Sequence, residues 1–266
     1  PNKKQYMASL SFLGRKSQWA QALNLLEQMC VARTTPDEMT FNKLISICAR
    51  CAQWKEALQL LVDMQHRDLT PDAMACNIVI SALAKSGEWG LALLVLGQMQ
   101  LLSVAADAIT YNAVICACVR GEKWQRALQL LEGAQRQGPG FADVITYSTA
   151  INGCAKALQW EMTLLLLDEM QASDLHPNEI SYSTAIRACA RGDVPMRALD
   201  LFECMKENYV PQNLITYDAV IGACQKDREL WSSALHYLQD MRHSGIKPDT
   251  GIYNMALNAC QNAFEW

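Results

Sequence analysis

One line of text recurs along this chain every 35 residues, and that period constrains the fold more than length or composition does. "RCAQWKEALQLLVDM" (Arg50 to Met64), "KSGEWGLALLVLGQM" (Lys85 to Met99) and "RGEKWQRALQLLEGA" (Arg120 to Ala134) repeat a basic residue, a Trp and Ala-Leu at nearly constant spacing. A fixed internal period of this length marks an array of small stacked units. Alignment gives units 3–37, 38–72, 73–107, 108–143, 144–178, 179–213 and 214–249, then a half unit 250–266. The chain is thus a single array over residues 1–266, with one extra residue in the units 108–143 and 214–249.

Each unit contains two apolar runs at helical spacing, such as "ITYNAVICACVR" and "WQRALQLLEGA", joined by Gly, Asp, Glu or Gln. No alternating pattern of the β type occurs. A lone helical pair cannot bury its apolar faces, so neighbouring pairs must stack into an all-α solenoid of helix-turn-helix repeats. Trp19, Trp54, Trp89, Trp124, Trp160, Trp231 and Trp266 occupy one register position, and Pro195 replaces the Trp of the sixth unit. These tryptophans are expected to wedge between helices. The fourth position is aromatic in every unit except at Cys76, and is expected to point into the helix pair.

The formal charge of −4 argues against gripping nucleic acid by bulk attraction. Of the eleven cysteines, Cys48, Cys118, Cys154, Cys189, Cys224 and Cys260 share one register position. Equivalent positions in a stacked array lie too far apart for pairwise bridging, so these are expected to be reduced core residues. No run approaches the length of a membrane span, and no direct membrane insertion is expected. Cys48 and Cys51 resemble half a zinc site, but no second pair or suitably spaced His accompanies them. No catalytic constellation is present. The expectation is therefore no enzyme, no metal and no cofactor. Because the sequence opens at Pro1 and stops before a second helix at Trp266, it is expected to be a piece of a longer array.

Against the acidic total stands a ladder of cations. The thirteenth position is Arg15, Arg50, Lys85, Arg120, Lys156, Arg191 and Lys226. At about 100° per residue, the second, fifth and thirteenth residues of one helix fall within an arc of roughly 80°. A cation in each full unit therefore shares a face with the second and fifth side chains. A basic residue in the last turn of a helix is also favoured by the helix dipole alone. Likewise, Asp or Asn at the end of a unit is a good N-cap for the next helix.

The period of 35, openings such as Thr110-Tyr111-Asn112 and endings such as Pro36-Asp37, Pro71-Asp72 and Pro248-Asp249 resemble the pentatricopeptide repeat family, over essentially the whole chain. The resemblance implies a right-handed superhelix that binds single-stranded RNA in a mitochondrion or plastid, one base per repeat. In that family the fifth and last residues of a unit select the base. Here the pairs are Asn42/Asp72, Asn77/Asp107, Asn112/Asp143, Ser148/Asn178 and Ser183/Asn213. Asn/Asp implies U, tolerating C, and Ser/Asn implies A, so the predicted tract is 5′-N-U-U-U-A-A-N-3′. Met7/Asp37 and Asp218/Asp249 depart from the usual pairs and leave both ends undetermined. The second residues, Met39, Met74, Ile109, Ile145, Ile180 and Ile215, are implied to sandwich the bases, and the cation ladder to contact phosphates. The competing expectation is a protein-binding scaffold, or a structural subunit of an organellar ribosome or membrane complex.

Overall fold

The computed structural model describes residues 3–32, 34–138 and 140–263. Among them every regular element is helical. The chain divides into two compact units, Pro1–Ala142 and Asp143–Trp266.

In the first unit, the leading helix of each pair is α1 (Lys3–Arg15), α3 (Glu38–Arg50), α5 (Ala73–Ser86) or α7 (Ala108–Arg120). The trailing helices are α2 (Trp19–Val31), α4 (Trp54–His66), α6 (Trp89–Leu101) and α8 (Trp124–Gln137). Leading helices pack on one another in chain order, and each of α2, α4 and α6 also packs on the leading helix that follows it. The second unit repeats the scheme with leading helices α9 (Val144–Lys156), α11 (Glu179–Arg191), α13 (Leu214–Cys224) and α15 (Thr250–Ala263). Its trailing helices are α10 (Trp160–Ala172), α12 (Pro195–Glu207) and α14 (Trp231–His243). Both units are therefore solenoids of stacked helix pairs.

The repeated residues explain why the helices start and stop where they do. Asp37, Asp72, Asp107, Asp143, Asn178 and Asn213 are N-caps, each accepting the backbone N–H three residues on. Leading helices close on a residue in the left-handed region: Ser17, Ala52, Gly87, Glu122, Leu158 or Asp193. The next N–H then reaches back to an orphan carbonyl, as from Gln53 to Cys48 and from Lys123 to Cys118 (2.9 and 2.8 Å). Trailing helices close in the same way on the recurrent Met, as in Leu69 N–H to Met64 C=O at 3.0 Å.

Side chains at the same positions fill the core. Met29, Met64, Met99, Met170, Met205 and Met241 are fully buried, as are Cys48, Cys118, Cys154, Cys189 and Cys224. All eleven cysteines are free. Burial pushes the Cys154 and Cys189 thiols up to about 11, so they act as inert small hydrophobes. The aromatic fourth residues Tyr6, Phe41, Tyr111, Tyr147, Tyr182 and Tyr217 are buried, and Cys76 with them.

The tryptophans differ from a simple core wedge. The six described ones are half-buried; Trp266 lies outside the described residues. Two of them lie at the seam between successive repeats. Trp89 lies under Gly121 and Trp160 under Gly192, where a Cβ would come within 2.3 Å of the indole Cδ1 in each case. The extra residue of the unit 214–249 sits in the turn: α13 stops at Cys224, and a 3₁₀ turn, Arg228–Leu230, bridges to Trp231.

Candidate nucleic-acid interface

Position within a leading helix decides which side chains face out. The fourth residue is buried, whereas the second is exposed in all six units where it is Met or Ile. Met39, Met74, Ile109, Ile145, Ile180 and Ile215 show 52–65% of their surface. An apolar residue held outside the core at one register position in six units has no role in packing the helix pair. The seven thirteenth residues are exposed as well. Among the described residues, Arg15, Arg50, Lys85, Arg120, Lys156 and Arg191 have no carboxylate in ion-pair range. Lys226 differs: it lies beyond the end of the shortened α13 and is ion-paired to Asp193.

At the fifth and last positions, capping and pairing coexist. Asp72 accepts the Ala75 N–H through Oδ1 (2.7 Å) and the Asn42 amide N–H through Oδ2 (2.9 Å). Asp107 accepts from the Thr110 N–H (2.8 Å) and from Asn77 Nδ2 (3.1 Å). Partial burial pushes the Asp107 carboxyl up, but bonds from Thr110 and Asn77 outweigh this and hold it below the ordinary carboxylate range. Asn112 is half-buried, and Asp143 accepts the Thr146 N–H at 2.8 Å.

A third residue joins these pairs. The Thr110 hydroxyl, at the third position of the next repeat, lies 2.6 Å from Asn77 Oδ1 and 2.8 Å from Asp107 Oδ1. Asn77 is thus held at both ends of its amide. Asn42 is held at one end only, because Ala75 stands where Thr110 stands one repeat later. Its Oδ1 is buried without a partner. The signal was present in the sequence, since the third position is Thr40, Thr110, Thr146, Ser181 and Thr216 in five units, all fully buried.

The Ser-bearing units are built differently. Ser148 is buried, its hydroxyl bonded to the Val144 carbonyl (2.6 Å) and to the Ser181 hydroxyl (2.8 Å). A short side chain on a helix falls back on its own turn in this way. Ser183 donates to the Ile180 carbonyl at 3.2 Å. Asn178 accepts the Ser181 N–H at 3.0 Å, and Asn213 donates through Nδ2 to Glu179. At the last full repeat, desolvation by the surrounding protein, and then the Asp249 charge, raise the Asp218 carboxyl.

In the first unit these positions converge on one cavity of about 480 Å³. Met74 and Ile109 line it together with Asn77, Asp107, Arg50 and Lys85. Two apolar platforms, an amide–carboxylate pair and two cations thus border a space large enough for a planar heterocycle and its linkage. Among the described residues there is no cluster of His, Cys, Asp and Glu suited to a metal ion, and no helix long and apolar enough to cross a membrane.

The sequence matches the profile of the PPR repeat family over residues 36–85, 71–120 and 142–191, and that of the single PPR repeat over 109–138 and 180–210. The matched segments cover well over half of the chain. Comparison with curated proteins returned no match. Among solved structures, the pentatricopeptide repeat protein PPR10 from maize is similar over 99% of this chain and 42% of its own, at 22% identity and a TM-score of 0.64. A cysteine-substituted PPR10 in complex with an 18-nt PSAJ RNA element is similar over 99% of this chain and 43% of its own (19% identity, TM-score 0.71). Nuclear protein-only RNase P 2 of Arabidopsis thaliana is similar over 70% and 42% (12% identity, TM-score 0.63). The chain therefore spans less than half the length of these proteins, and at such identities the likeness is one of fold.

Proposed function

The chain belongs to the pentatricopeptide repeat family, and from that premise we propose that it binds single-stranded RNA with a sequence preference, one base per repeat, in a mitochondrion or plastid. It acts by occupancy, in RNA stabilisation, processing or translation, and carries out no chemistry itself. The observation that carries this reading is the cavity bordered by Met74, Ile109, Asn77, Asp107, Arg50 and Lys85. A base wedged between Met74 and Ile109 faces the Asn77 amide, whose donor and acceptor suit the Watson–Crick edge of uracil. Arg50 and Lys85 border the same space and complement the phosphates on either side. Apolar platforms of this kind stabilise by less than the roughly 1–3 kcal/mol per base of aromatic stacking.

The bases assigned are U for Asn42/Asp72, Asn77/Asp107 and Asn112/Asp143, and A for Ser148/Asn178 and Ser183/Asn213. This gives 5′-N-U-U-U-A-A-N-3′. The test is to edit one repeat: Asn112→Thr, with Asp143 kept, shifts that repeat's preference from U towards G in a binding selection. Retained preference for U at that position defeats the assignment.

A protein-holding scaffold is the competing reading. It is favoured by a groove of about 570 Å³ in the second unit, where Trp160, Leu164, Leu165 and Leu201 lie beside Asp168 and Asp200. A scaffold would be indifferent to Asn112→Thr and would co-purify with a stoichiometric protein.

A further inference from the structure

A second, smaller cavity of about 230 Å³ in the first unit gathers three cations. Arg15, Lys43 and Arg50 line it with the hydroxyl-bearing Ser11 and Ser46, and no carboxylate does. Among the described residues, none of the three cations has an ion-pair partner. Like charges gathered without counter-charge repel one another, so an arrangement of this kind attracts an anion.

Two of the cations, Lys43 and Arg50, are held in place. Lys43 Nζ donates to Ser11 Oγ at 2.9 Å, and that hydroxyl in turn donates to the Met7 carbonyl at 2.8 Å. Arg50 Nε donates to the Ser46 carbonyl at 3.3 Å. Gly14 leaves room for the guanidinium, since a Cβ there would come within 3.0 Å of Arg50 Nη2. Lys43 breaks the repeat pattern. The equivalent sixth residue is Ala8, Ile78, Ala113, Thr149, Thr184 or Ala219 in the other full units, none of them charged.

We propose that this cavity is a phosphate site, with Lys43 as the residue that distinguishes it from every other rung of the ladder. Lys43 and the two guanidinium groups supply charge-assisted donors to the phosphate oxygens. Arg50 and Ser46 also line the larger cavity, so a phosphate here lies next to the slot bordered by Met74 and Asn77. The site rests on the RNA reading only for the source of its phosphate, which is either a strand's terminal monoester or an internal diester.

The test begins without RNA. The ¹⁵N-labelled chain is titrated with inorganic phosphate against chloride at matched ionic strength. Saturable amide shifts in residues 10–14 and 43–50 are expected. Lys43→Gln, which keeps a donor for Ser11, weakens binding about tenfold. Lys55→Gln, which removes a surface charge elsewhere, leaves it unchanged. Shifts that are absent, that spread evenly over the surface or that survive Lys43→Gln overturn the proposal.

Two RNA arms then separate the sources. A gain in affinity from a 5′-phosphate, lost in Lys43→Gln, identifies the monoester. A Lys43-dependent gain from added 5′ nucleotides, with no effect of the end group, identifies the diester. Phosphate binding without any RNA binding keeps this site and removes the RNA reading. RNA binding without localised phosphate shifts does the reverse.

Discussion

Ala75→Thr should stabilise the protein, although it replaces the best helix former with a poorer one inside a fully buried position. Asn42 Oδ1 is buried with no donor, a condition that costs about 1–3 kcal/mol. One repeat later the same place is filled by Thr110, whose hydroxyl reaches Asn77 Oδ1 at 2.6 Å. Thr is accommodated without exposure at the equivalent positions 40, 146 and 216. Against the gain stands a helix-propensity cost of at most about 0.7 kcal/mol. The expected net is a stabilisation of about 0.5–2 kcal/mol, seen as a higher urea midpoint and a Tm raised by about 2–4 °C per kcal/mol. Ala75→Val is the control: it adds similar bulk without a hydroxyl and should gain nothing. Equal effects of Thr and Val, or a loss on Ala75→Thr, would refute the claim that the third residue completes the hydrogen bonding of the preceding repeat's fifth.

Gly121→Ala should destabilise by about 1–3 kcal/mol, because the new Cβ would come within 2.3 Å of Trp89. In a Trp89→Ala background the same change should be nearly neutral in urea melts, and additive effects would contradict the seam contact. Asp218→Asn should raise stability at neutral pH. The folded state holds the Asp218 proton more tightly than the unfolded chain, so this group's contribution to stability is lost as pH rises upward from 3.8, and the variant's gain over the parent should grow over that range. In RNA binding, six unpaired rungs give a salt slope of about −4. Lys85→Gln should reduce its magnitude by about 0.7, while Lys226→Gln, with its charge already taken by Asp193, should leave it unchanged.

Much of the architecture was legible in the 35-residue period. The positions of Asp107, Cys118 and Met99 fix where helices begin, bury and end, and each is a local device that sequence spacing reveals. The outward row from Met39 to Ile215 was equally legible, since it follows from turning a single helix by about 100° per residue. What the sequence hid depends on contacts between repeats. Thr110 reaches Asn77 across 33 residues, and the importance of a small side chain at Gly121 appears only once Trp89 lies beneath it. Ser148 stands in the register of Asn77, yet its hydroxyl bonds to its own helix and to Ser181, a contact across repeats. Lys226 kept the numerical register of the ladder, but the extra residue in its unit ended α13 before it. Lys43 carries no periodic signal, because it occurs in one repeat only.

The central claim is a base-reading face on an acidic protein, and fluorescence anisotropy tests it most directly. A labelled RNA containing UUUAA is compared at moderate salt with the same bases shuffled. The account predicts salt-sensitive binding with about a tenfold or greater preference for UUUAA. Equal affinity for both RNAs, or binding to neither, would contradict it.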